Sequence, residues 1–197
     1  MMRLRLLPAG TLVALSLALC APAQTPAAKP PAPTGAIATH ADWPKAAPAD
    51  VHSIESTIDA VYNVISGPKG QPRNWTRMRS LFVPGARLAP IRETGSHADV
   101  LFLDIDGYIE RASKRMESEG FFEKSIANRV EVYGNMVEVW STYESRHATS
   151  DPKPFARGIN SFQLLKDGDR YWVVQILWDA ETPTTPIPEK YLSIRKH

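Results

Sequence analysis

The stretch RGINSFQLLKDGDRYWVVQILWDAE, beginning at Arg157, reads as an apolar hairpin that carries Arg157, Asn160 and Gln163 on its first strand. A polar group taken from water needs a partner or costs free energy. These three residues are therefore either structural ties or the polar end of a pocket. Other groups offer less. His40, His52, His97, His147 and His197 are scattered, without metal-ligand spacing. No G-x-S-x-G elbow activates a serine. The loop GPKGQPR has two glycines but no phosphate-cradling G-x-x-x-x-G-K-[ST] pattern. Asp104-Ile105-Asp106-Gly107 lacks the remaining ligands of a calcium loop, so helix capping is the preferred reading. Asn74-Trp75-Thr76 matches a glycosylation acceptor, with a helix cap preferred. Neither a metal nor a cofactor is expected.

The elements that position these groups follow from patterning. Arg3 and Arg5, an apolar run and Ala21-Pro22-Ala23 make residues 1–23 a secretory signal, and the run is too short for a membrane span. Leu19 before Cys20 departs from the small residue that lipid-anchor signals carry. Cys20 is the single cysteine, and cleavage after Ala23 removes it. Cleavage also takes two arginines and no acid, which leaves 21 basic against 21 acidic residues. Neutral charge gives no electrostatic reason to bind nucleic acid or an anionic membrane. The expected location is periplasmic or secreted. Residues 24–49 are rich in Ala and Pro and read as a disordered tether, with Trp43 as a local docking point. Residues 50–197 suit one domain with one core.

Within that domain Val51, Ile54, Ile58, Val61 and Ile65 recur at helical spacing, with Asp50 as N-cap. Asn74 caps a second helix, whose face carries Trp75, Met78 and Phe82 while Arg77 falls away from it. Residues 86–91 are a short strand, and residues 92–100 a polar loop. A third helix starts at Asp104 or Asp106 and ends near residue 119. From Gly120 the period switches to two, over residues 122–133, 136–146, 155–166 and 170–180. Turns at Gly134-Asn135 and Asp167-Gly168 join strands into a meander. The expectation is an α+β domain: helices first, then an antiparallel sheet.

The segments YNVISGPKGQPRNWTRMRSLFVPGARL, GFFEKSIANRVEVYGNMVEVWSTYESR, RGINSFQLLKDGDRYWVVQILWDAE and IPEKYL carry a resemblance. The chain resembles the NTF2-like, or SnoaL-like, superfamily, and within it exported bacterial proteins without assigned activity. The resemblance implies three N-terminal helices packed on a strongly curved antiparallel sheet around a cone-shaped cavity. It implies a homodimer through the convex sheet face. It implies no single function, because such a fold hosts isomerases, dehydratases, binding modules and scaffolds.

Alternation sorts the strands. The concave side takes Val137, Val139, Ser141 and Tyr143; Gly158, Asn160, Phe162 and Leu164; and Trp172, Val174, Ile176 and Trp178. One bulge would invert the assignment. Tyr143, Asn160 and Ser141 then form a polar spot in an apolar pocket walled by Trp75, Trp178, Tyr62 and Phe122. These seven are the candidate ligand-binding residues; the alternative for each is core packing or a satisfied buried polar group. Arg157 and Gln163 fall on the convex side, where Glu138 or Glu144 is available to Arg157.

Three functions compete. A noncatalytic pocket for a small hydrophobic or amphipathic ligand needs the cavity alone. An isomerase or dehydratase needs a carboxylate inside it; Glu123 points away by alternation unless a bulge intervenes. A protein–protein module would use exposed aromatics such as Trp140 and Tyr171. No catalytic residue is assigned.

Overall fold

The structure, a computed structural model, describes residues 37–95 and 97–193. The signal segment, Cys20 and the first half of the tether lie outside the described residues. Among those described, no helix is long and apolar enough to cross a membrane.

Residues 37–49 depart from the tether expectation. Ile37–Thr39 form a 3₁₀ turn. The Trp43 indole donates to the carbonyls of Arg79 (3.0 Å) and Phe82 (2.9 Å). An amphipathic ring with one donor suits that seat: its body is apolar and its N–H satisfied.

Four helices follow, α1 (Pro48–Val51), α2 (Ile54–Ile65), α3 (Trp75–Leu81) and, after a hairpin, α4 (Ile105–Glu119). The cap of α2 is Ser53, whose side chain accepts from the Ser56 amide while the Ser56 hydroxyl accepts from the Ser53 amide. Asp50 is not that cap. It sits in α1 and receives Arg77 in a two-point ion pair, with Nε to Oδ2 at 2.8 Å and Nη2 to Oδ1 at 2.9 Å. The Arg77 hydrogen bonds hold the Asp50 carboxyl below its ordinary range. Asn74 caps α3 and Asp104 caps α4.

The sheet has six strands: β1 (Phe82–Thr94), β2 (His97–Val100), β3 (Phe122–Tyr133), β4 (Met136–Arg146), β5 (Ala156–Asp167) and β6 (Arg170–Ala180). Their order is β2-β1-β6-β5-β4-β3. Two expectations are corrected. The sheet is mixed, because β1 runs parallel to β6. The supposed loop at residues 92–100 is a β1–β2 hairpin, so only three of the four helices precede the sheet. Pro84 and Pro90 obscured β1, since proline has no donor for the ladder. The β1–β6 register slips between Phe82 and Arg87, around Pro84 and Gly85.

The apolar face of α2, with Ile58, Val61 and Tyr62, buries itself against Val137, Val139, Phe162, Leu164 and Ile176 on the sheet. A bulge in β6 modifies the face assignment. Gln163 pairs with Gln175 but Leu164 pairs with Val173. Val174 is the unpaired extra residue, so Val173 is buried and Val174 is 36 % exposed. Trp172 therefore shares a side with its partner Leu165, and the Arg170 guanidinium lies 3.3 Å over its ring.

The other sheet face also differs from expectation. Arg157 stands opposite Glu144 but pairs with Glu181 at 3.1 Å. Glu144 is already engaged by Arg146 and by Lys124, and Glu138 accepts from Ser161 at 2.6 Å. The last described residues fold over this side. Thr142 donates to the Tyr191 carbonyl at 2.6 Å, and the Trp140 and Tyr191 rings meet at 5.6 Å. Tyr171 is half-buried against the core. The two aromatics expected to stand open are thus partly covered.

Candidate functional site

Between α2, α4 and the sheet lies a cavity of about 220 Å³. Aliphatic side chains such as Val61, Leu88 and Ile176 line much of it. Tyr62, Tyr143, Asn160 and Trp178 line it too, as expected from the sequence. Ser141 stands behind them, fully buried, and shares a 2.7 Å hydrogen bond with the Tyr62 hydroxyl. Two expected wall residues do not line it. Trp75 packs against the core outside the cavity. Phe122 pairs with Arg146 and faces a separate polar cleft.

The residue that takes Phe122's place is Glu123. A bulge at Ile126 is the cause. In the regular hairpin, counting back from the Tyr133–Met136 pair, Glu123 would face Arg146. The register shifts between Ser125 and Ala127, so Glu123 instead opposes Ser145 and turns toward the cavity. Its Oε2 accepts from the Ser145 hydroxyl at 2.7 Å. Its Oε1 lies 3.5 Å from Asn160 Nδ2, which makes a better bond to the Tyr62 hydroxyl at 3.1 Å. Two donors, one of them distant, do not replace water around a carboxylate. Burial accordingly raises the Glu123 pKa to about 7, against the lowering effect of Ser145 and Asn160.

Three phenols surround this carboxyl. Burial, and after it the Glu123 charge, raises the pKa of Tyr62, Tyr108 and Tyr143. Tyr62 is engaged by Ser141 and Asn160. Among the described residues, the hydroxyls of Tyr108 and Tyr143 make no hydrogen bond. Tyr108 comes from α4 and meets Trp178 edge to face at 6.3 Å. Tyr143 lies across from Gly158 on the neighbouring strand. A Cβ at Gly158 would fall 2.6 Å from the Tyr143 hydroxyl and 2.2 Å from the Asp179 carbonyl. Only glycine lets the ring lie there.

Sequence reasoning missed Tyr108 and Ser145 and turned Glu123 outward. Tyr108 sits on the apolar stripe of α4, where core packing is the ordinary reading. Nothing in the alternation announces the bulge: Phe122, Ile126, Val130 and Val132 share one parity throughout. Charge pairing was equally silent. The regular register would set Glu123 against Arg146; the bulged one sets Lys124 against Glu144, 3.1 Å apart.

Among the described residues no three His, Cys, Asp or Glu side chains gather as a metal site would require. The cavity thus holds a carboxyl, two free phenols and an amide in a largely apolar wall, with Arg115 also on its lining. No family model and no curated protein matches the chain. Solved structures do. Three of those it resembles are NTF2-like proteins. One, of unknown function, from Shewanella baltica OS155 is 15 % identical, with a TM-score of 0.42 over 66 % of this chain and 98 % of its own. An NTF2-like protein of unknown function from Methylobacillus flagellatus KT is 14 % identical, with a TM-score of 0.43 over 66 % of this chain and 95 % of its own. A third NTF2-like protein of unknown function, from Silicibacter pomeroyi DSS-3, is 13 % identical, with a TM-score of 0.40 over 65 % and 89 %.

Proposed function

We propose that the cavity binds a small, mainly apolar molecule and holds its polar group among Glu123, Tyr108, Tyr143 and Asn160. One observation carries this reading. The Tyr108 and Tyr143 hydroxyls converge with Glu123 on the cavity and, among the described residues, have no hydrogen-bond partner. Buried polar groups are ordinarily satisfied, and a few convergent ones in an apolar cleft are the usual make-up of a small-molecule site. The test is native mass spectrometry of the protein purified from its own host, beside the cavity-filling variant Ala112→Trp. A small adduct on the wild type that is absent from the variant supports the reading. An adduct on both, or on neither, counts against the cavity as its seat.

Glu123 favours a second reading, proton transfer at the bound molecule. A general base works best with a pKa near the working pH, and about 7 fits. Phenol donors beside it would stabilise negative charge developing on a neighbouring oxygen. If Glu123 moves a proton, deuterium from D₂O will enter the retained molecule on the wild type and not on Glu123→Gln. Equal incorporation on both would leave binding alone.

A further inference from the structure

We infer that the cavity's ligand is a small apolar carboxylic acid, its carboxylate held at the rim by Arg115; this rests on the binding role proposed above. The cavity shares Arg115, Met116, Phe121 and Phe155 with an outer depression that also touches Glu119 and His147. Arg115 is exposed and Phe155 is 50 % exposed, so this is the end that opens to solvent. Among the described residues, Arg115 is the one cationic side chain lining the cavity, and its guanidinium has neither an ion pair nor a hydrogen bond. Arg77, Arg79, Arg129, Arg146 and Arg157 each have a carboxylate. A planar fork left free beside a cavity mouth matches the two oxygens of a carboxylate.

The rim also presents rings. His147 stacks on Phe155 with centroids 4.2 Å apart, and Phe121 lies 6.1 Å from Phe155. The His147 Nδ1 lies 3.2 Å from the Gly120 carbonyl, which ties the stack to the end of α4. These surfaces suit the apolar body of a ligand just inside its charged head. The opposite end fixes the orientation. Glu123 repels a second carboxylate but accepts from a hydroxyl, and Tyr62 and Glu123 stand between that end and the polar cleft, lining both. Head at Arg115 and hydroxyl at Glu123 describes a hydroxylated aryl or alicyclic acid. Glu119, one turn after Arg115 on α4, opposes the head group's charge without pairing with Arg115.

The test uses 3-(4-hydroxyphenyl)propanoate and its primary amide, which differ in charge and hardly in shape. Each is titrated calorimetrically into wild type, Arg115→Gln, Glu119→Gln and Ala112→Trp. The acid is expected to bind wild type about tenfold more tightly than the amide, as one charge-assisted pair allows. Arg115→Gln should bring the acid down to the amide and leave the amide unchanged. Glu119→Gln should tighten the acid about twofold. Equal affinity of acid and amide on wild type, or a loss of both on Arg115→Gln, overturns the role of Arg115 while the cavity reading stands. Binding of neither probe at millimolar concentration, or binding undiminished by Ala112→Trp, overturns the cavity reading and this inference with it.

Discussion

Arg73 and Glu123 are both charged groups taken out of water, but one is saturated with partners and the other is left short. Arg73 donates to the carbonyls of Ile65 (Nε, 2.9 Å), Gly67 (Nη2, 2.6 Å), Met116 (Nη2, 3.1 Å) and Gln71 (Nη1). Ile65 is the last residue of α2 and Met116 lies in the last turn of α4. The Ile65 carbonyl is an orphan of its helix end, and the Met116 carbonyl, which already accepts from the Gly120 amide, takes Arg73 as a second donor; a cation at such ends is also favoured by the helix dipole. The arginine that ends GPKGQPR turns inward and ties two helices together. Glu123 has one good donor and one at 3.5 Å. A group kept for stability is fully paired. One that is underpaired and faces a cavity keeps bonding capacity for something else.

Removing either charge should separate these roles. Arg73→Met leaves the Ile65 carbonyl without a donor and takes one of two donors from the Gly67 and Met116 carbonyls, so it should cost about 2 kcal/mol, or roughly 6 °C in Tm, equally at pH 5 and pH 8. Thermal melts at the two pH values check this. Glu123→Gln should behave in the opposite way. The folded pKa of Glu123 is about 7 against an ordinary 4.5, so the native state binds its proton more tightly than the unfolded chain. The contribution of Glu123 to stability is then greatest below about 4.5, declines as pH rises, and has fallen by about 3 kcal/mol once pH passes about 7. Urea midpoints from pH 4.5 to pH 8 should show this decline in wild type. Glu123→Gln should flatten it and be the more stable protein at pH 8. A decline that survives in Glu123→Gln would place the raised carboxyl elsewhere.

The same contrast explains what could be read from the sequence. The four strands after Gly120 emerge nearly to the residue, because period-two patterning and turn glycines are local signals. Gly134 and Gly168 indeed hold positive φ, at 58° and 57°. The inward set Ser141, Tyr143 and Asn160 was legible for the same reason. What escaped depends on non-local pairing. The parallel contact of β1 with β6 has no local cue, and prolines weaken the strand pattern of β1. The bulge at Ile126 moves one residue pair and thereby carries the key carboxyl from one face to the other. Both registers offer an acceptable charge pair, and alternation in one strand does not distinguish them.

The smallest expected effects sharpen the view of how Glu123 is held. Ser145 and Asn160 both lower its pKa, and Ser145 has the greater effect. Ser145→Ala and Asn160→Leu should therefore each move the stability decline to higher pH, Ser145→Ala the further. Asn160→Leu should cost only about 1 kcal/mol, since the Tyr62 hydroxyl keeps its bond to Ser141. Its effect on binding should be larger: a ligand shown to sit in the cavity should lose about tenfold in affinity, about the worth of one buried hydrogen bond. If affinity is unchanged, Asn160 serves only to tether Tyr62, and the polar end of the cavity narrows to Glu123 and the two free phenols. If the pH shifts rank the other way, the 3.5 Å contact is the firmer hold on the carboxyl.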